Sequence, residues 1–145
     1  MTGEGEMVWS STVGNYADLQ LQQLNGEPVL TFWNGTGSPG FGTASHGYGT
    51  VEILNSRYES LYHFCPNLNL VANIDITGAC QADVHDSSIT PEGNIIVTVY
   101  NLAMSDLTGV GGNSSGYLWE SQFYDFVLRP ARFYSGGARW KRESL

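Results

Sequence analysis

Positive charge is what this sequence lacks most: six lysines and arginines stand against fourteen carboxylates in 145 residues, for a net charge of −8. Five of those cations (Arg129, Arg132, Arg139, Lys141 and Arg142) fall in the last seventeen residues, which hold one carboxylate. The body before Arg129 therefore has Arg57 alone to set against thirteen carboxylates. Such a body repels nucleic acid and anionic membrane surfaces, so neither is expected as a partner. No apolar run approaches the twenty or so residues that span a bilayer, which excludes a transmembrane helix. The acidic start, Met1 to Glu6, has no hydrophobic segment of the kind that marks a secretory signal. Helical periodicity is missing throughout.

Eighteen glycines and eighteen aromatic residues are what the chain has in abundance. With short alternating segments between turn residues, they indicate an all-β protein. Asp18–Leu24 alternates at period two, Asn25-Gly26 supplies a tight turn, and Pro28–Trp33 returns. The reading continues with a strand at Met7–Ser11 and a glycine-rich loop from Asn34 to Gly47. Strands at Tyr48–Leu54 and Tyr58–Phe64 surround a turn at Asn55-Ser56. A hairpin covers Asp83–Tyr100, and a loop at Met104–Gly116 precedes a strand at Tyr117–Leu128. Strand and turn in this repetition suit either propeller blades, of which 145 residues supply about three, or a sandwich.

Two cysteines, Cys65 and Cys80, enclose a loop that either closes as a disulfide or leaves both thiols free. Asn34 and Asn113 each begin an acceptor pattern for N-glycosylation. These short signals lean toward a secreted protein, against the absent signal segment.

The stretch with most chemical content is Asp83-Val84-His85-Asp86, followed by Thr90-Pro91-Glu92-Gly93-Asn94 and the apolar Ile95–Tyr100. Pro91 presets φ, Gly93 and Asn94 tolerate positive φ, and the β-branched run suits a buried return strand. Period-two geometry sets Asp83 and His85 on one face, where the carboxylate would orient the imidazole. The bland alternative is a hydrogen-bonded histidine at a strand start. His46, in Ser45-His46-Gly47-Tyr48-Gly49, sits at a loop-to-strand junction where a ligand has access to the backbone, or is an ordinary loop residue. His63, between Tyr62 and Phe64, reads as part of a half-buried strand. A metal site from Asp75, Asp83, His85 and Asp86 has no i,i+4 or paired-cysteine spacing behind it, and none is expected. Gly35-Thr36-Gly37-Ser38-Pro39-Gly40 spells a dinucleotide-loop string, but Pro39 and the following glycines cannot open the helix that would receive a pyrophosphate.

In order along the chain, Gly5–Ser10, Asn25–Trp33, Gly47–Gly49 with Ile53–Glu59, Asp83–Asp86 with Ile89–Gly93, Val110–Gly112 and Phe123–Phe126 resemble motifs of the arylsulfotransferase-like family, in particular its fungal branch. The resemblance implies a β-propeller and transfer of a sulfuryl group from a phenolic sulfate ester to a phenol. It implies no cofactor and no nucleotide sulfate donor. The implied route is ping-pong through a transiently sulfated histidine, with further histidines and an arginine facing the sulfuryl oxygens. His85 matches the first histidine of that site, with Asp83 beside it, and His46 and Tyr48 are expected to contact substrate. The family's later Asp-x-x-Thr-Gly-x-x-Leu-Phe-x-Trp, His-x-Asn-Ser, Ser-Arg and Gln-His motifs, the last supplying the nucleophile, are missing. Residues 1–128 are accordingly expected to be a partial propeller, incomplete at its C-terminus and inactive alone, and 129–145 a basic tail departing from the family. A non-catalytic propeller that binds a ligand or protein is the alternative.

Overall fold

A computed structural model describes residues 4, 6, 7, 9–12, 14–38, 46–72 and 79–128 of the chain. Asp75 and the basic segment 129–145 lie outside the described residues, as does Val8. The fold is all-β, in two antiparallel sheets. Strands β1 (Tyr16–Leu24), β2 (Glu27–Ser38), β3 (His46–Leu54) and β4 (Ser60–Phe64) form a four-stranded meander. Strands β5 (Ser87–Ile89), β6 (Asn94–Ser105) and β7 (Gly116–Val127) form the second sheet, again in sequence order. No helix among the described residues is long and apolar enough to cross a membrane.

Turn chemistry sets the registers. Asn25 and Gly26 both hold positive φ (54° and 85°), and Leu24 faces Glu27 across the hairpin. This is the backbone twist that a two-residue hairpin loop prefers. At the other hairpin Gly93 takes φ 82° and its N–H donates to the Thr90 carbonyl, while the Thr90 N–H donates to Asn94. Asn94 itself opens β6 without a positive φ.

Several boundaries differ from the sequence reading. The glycine-rich stretch after Asn34 is not wholly loop: β2 runs on to Ser38 and β3 begins at His46. Glycines pair across the two strands, Gly35 with Gly49 and Gly37 with Gly47. Having no side chains, they leave no hydrophobic period to read. The described residues of Met7–Ser11 lie outside any strand; Trp9 is held by stacking on Tyr58 at 5.3 Å instead. Tyr58 adopts φ 62° in a turn closed by the Asn55 side chain, which accepts from the N–H groups of Arg57 and Glu59. Strand β4 therefore starts at Ser60.

One core joins the sheets. Leu24, Val29, Trp33, Val51, Ile53 and Phe64 meet Ile95, Val97 and Val99 of β6. β6 buries one face only, since Ile96 is turned toward solvent. At the rim, polar side chains of β1 reach across. A register shift between Ala17 and Gln20, with Asp18 at φ 53°, aims the Asp18 carboxylate at the Ser87 N–H (3.1 Å). Gln22 accepts from the Ile89 N–H at 2.7 Å and donates to the Ser87 carbonyl at 3.0 Å. A bulge here serves to re-aim a side chain.

Candidate functional site

Residues 81–83 run along the seam between the sheets and are fixed on both sides. Ala82 exchanges two backbone hydrogen bonds with Gly49 of β3, each 3.0 Å, and the Asp83 N–H donates to Thr98 of β6 at 2.8 Å. The Trp33 indole donates to the Ala82 carbonyl at 2.9 Å. The indole lies on the paired glycines: a Cβ at Gly35, Gly47 or Gly49 would sit 2.5–2.7 Å from its ring atoms. Those three positions therefore need glycine for close approach, not for unusual φ. Upstream, Cys65 and Cys80 are joined as a disulfide with Cα atoms 4.8 Å apart. Buried Gln81 accepts from the Leu68 N–H at 2.6 Å, tying the disulfide loop to the seam.

Asp83 is the centre of the site. Its side chain is 1% exposed, and both oxygens are used. Oδ1 accepts from the Gly47 N–H at 2.8 Å. Oδ2 accepts from the His85 N–H at 3.1 Å and pairs with His85 Nδ1 at 2.5 Å. The expected partnership of Asp83 and His85 is thus present, but its geometry differs. Residues 83–86 form a bend, not a strand, and the carboxylate closes a turn onto the backbone of His85. With Nδ1 turned inward and the His85 side chain 52% exposed, the Nε2 edge faces outward. Asp86 points elsewhere: its carboxylate accepts from Gln20 at 3.4 Å.

His46 arrives at the same place from the start of β3, and it is a buried strand residue, 7% exposed, not an exposed loop residue. Its Nδ1 lies 3.8 Å from Asp83 Oδ1, beyond hydrogen-bond distance, and has no hydrogen-bond partner. The ring is covered by Tyr100 of β6 (3.8 Å between centroids) and Trp119 of β7 (4.8 Å), with His85 edge-on at 5.7 Å. Burial lowers the His46 pKa; Asp83 opposes this and His85 adds to it. Tyr48, two residues along the same face of β3, is also buried, and its hydroxyl has no hydrogen-bond partner. Burial, then the nearby Asp83 charge, pushes its phenol up to about 12.

Sequence reasoning did not find Tyr100 and Trp119, because only the pairing of β6 with β7 brings them to His46. It also placed His63 in a half-buried strand. In β4 the His63 side chain is 62% exposed and pairs with Glu52 at 2.6 Å, because it occupies the solvent side of that strand. Asn34 lies inside β2, paired to Tyr16 and to Thr50, whereas Asn113 is exposed in the loop before β7. Arg57, the only described arginine, is bound to Glu59 at 2.8 Å in the β3–β4 turn. Among the described residues, the basic side chains at the seam are therefore the imidazoles of His46 and His85.

The arylsulfotransferase (ASST) family model matches residues 20–129. This chain belongs to the arylsulfotransferase family. No curated protein and no solved structure matches it. The matched span holds both sheets from within β1 onward, the seam, and each residue of the Asp83 cluster. The family's name indicates phenolic substrates, and the membership makes sulfotransferase-like chemistry the setting in which the cluster is read.

Proposed function

We propose that this chain carries part of the sulfuryl-transfer site of a fungal-type arylsulfotransferase, acting between a phenolic sulfate ester and a phenol. His85 is the residue that meets the sulfuryl oxygens, Asp83 positions it, and His46 and Tyr48 line the substrate side. The observation that carries this reading is the Asp83–His85 pair. A buried carboxylate holds the inner nitrogen of the ring and leaves the outer nitrogen presented at the surface. In its protonated form a ring held in this way donates from Nε2 to an anionic group without having to reorganise, which is how fixed donors stabilise developing charge.

In the complete reaction a histidine nitrogen attacks sulfur, the S–O bond to the aryl group breaks, and the phenolate leaves. The acceptor phenol then attacks the same sulfur, the S–N bond breaks, and the phenolic proton passes to a base. In this reading neither the nucleophile nor the arginine is among the described residues. The three histidines of the chain are His46, His63 and His85. Two of them already serve the Asp83 cluster and the third faces Glu52, while Arg57 is engaged by Glu59. Residues 1–128 act as the domain and 129–145 as a separate basic segment.

The test uses 4-nitrophenyl sulfate. The chain is expected to bind it, to lose binding on His85→Ala, and to release no 4-nitrophenol in the presence of phenol. Sustained release abolished by His85→Ala would overturn the claim of inactivity. Absence of binding at any accessible concentration would overturn the sulfate-ester reading and favour a module with another ligand.

A further inference from the structure

We propose that His46, Asp83 and His85 form a binding site for a divalent first-row transition ion of the zinc class. The donor atoms of the three residues lie within 4.8 Å of one another, the one such trio among the described residues. They come from two distant parts of the chain, the start of β3 and the seam, which is why no ligand spacing is visible in the sequence. The chemistry is that of a two-imidazole, one-carboxylate set, which suits Zn²⁺ and its neighbours and not Mg²⁺ or Ca²⁺.

Two independent observations point to a ligand. The first is His46 Nδ1, an acceptor-capable atom that is buried, lies 3.8 Å from a carboxylate oxygen, and has no hydrogen-bond partner. Buried polar atoms are normally paired, so an unpaired one facing a carboxylate and a second imidazole marks a place for an electrophile. The second is the outer support of the carboxylate. The Gly47 N–H, adjacent to His46, holds Asp83 Oδ1 at 2.8 Å, as groups behind a metal ligand commonly do.

Binding would put the ion where the proton now lies between His85 Nδ1 and Asp83 Oδ2, and the neutral ring would then carry its one proton on Nε2. The donors must also readjust, since metal–ligand bonds of about 2.0–2.2 Å place neighbouring ligand atoms roughly 3 Å apart: His46 Nδ1 must close on Asp83 from 3.8 Å and His85 Nδ1 must back away from 2.5 Å. His85 is free to make that adjustment because half of its side chain is exposed. The same exposure gives the ion a path in and leaves solvent to complete its coordination. The inference rests on the cluster alone and not on the sulfuryl-transfer reading.

It is tested on the untagged chain without sulfate ester, by calorimetric titration with Zn²⁺ and by the visible absorption of added Co²⁺. One ion per chain is expected, with a dissociation constant of roughly micromolar. His85→Ala and His46→Asn should each weaken binding by at least about tenfold, His63→Ala should leave it unchanged, and Mg²⁺ should not compete. If His46→Asn does not fold, His85→Ala decides, because its side chain supports little of the core. No saturable binding below about 1 mM Zn²⁺, or binding lost in His63→Ala and retained in His85→Ala, overturns the proposal. Either result leaves the 4-nitrophenyl sulfate experiment to stand or fall separately.

Discussion

Gly49→Ala, compared with Gly37→Ala, is the sharpest test of how the seam is built. Both glycines lie in the β2–β3 ladder, and both substitutions add one methyl group. A Cβ at Gly49 would meet the Asn34 carbonyl oxygen, Trp33 Cε2 at 2.7 Å and Gly35 Cα at 2.8 Å. Two of these are backbone atoms in the adjacent strand, so the clash cannot be relieved by turning a side chain. Overpacking of this kind costs about 1–3 kcal/mol, and the backbone contacts place Gly49→Ala near ~3 kcal/mol on that scale. At Gly37 a Cβ meets nothing within 4 Å. There the lower backbone entropy of alanine in the unfolded chain should stabilise by ~0.5 kcal/mol. The two variants should therefore differ in thermal midpoint by about 10 °C, read by circular dichroism or calorimetry. Gly49→Ala should also disturb the Trp33–Ala82 bond and weaken whatever binds beside Asp83. Equal midpoints for the two variants would refute the close approach of Trp33 to the paired glycines.

The buried histidine sets an acid limit. Because burial lowers the pKa of His46 from 6.5, the unfolded chain takes up that proton first on acidification. Stability should fall as pH drops below about 6.5, measured by urea midpoints, and His46→Asn should flatten that slope; an unchanged slope would contradict the assignment. Tyr48→Phe removes a buried hydroxyl with no partner, so it should be neutral or stabilising by up to ~1 kcal/mol. It should also remove an alkaline loss of stability that begins near pH 10, where the unfolded phenol ionises while the folded one holds its proton to about 12. A destabilised Tyr48→Phe would show that the hydroxyl has a structural partner. Reducing the Cys65–Cys80 disulfide, which closes a loop of sequence separation 15, should cost about 3 kcal/mol. Identical urea midpoints with and without reductant would contradict that.

Where local chemistry dictated geometry, the fold was legible in advance. Asn25-Gly26 and Thr90–Gly93 announce their hairpins because the residues that tolerate positive φ are few. The proximity of Asp83 to His85 was legible from their two-residue spacing, but as neighbours on one strand face; the pair instead meets in a turn that Asp83 closes onto the His85 backbone. The extension of β2 and β3 through Gly35, Gly37, Gly47 and Gly49 was not, since glycine has no side chain to alternate and looks like loop. His46 was placed only approximately. Its burial arises from Tyr100 and Trp119, which are remote in sequence, and no local pattern encodes contacts between sheets. The same holds for the bulge at Asp18, whose purpose becomes visible only once β5 lies opposite.

Nitrogen-15 NMR of the tautomer that the neutral imidazole of His85 adopts examines the core of this account directly. If Asp83 holds the ring, the proton resides on Nδ1 and the outward Nε2 is bare, and Asp83→Asn abolishes that preference. A ring that carries its proton on Nε2, or that is unaffected by Asp83→Asn, would contradict the claim that this carboxylate presents His85 to a ligand.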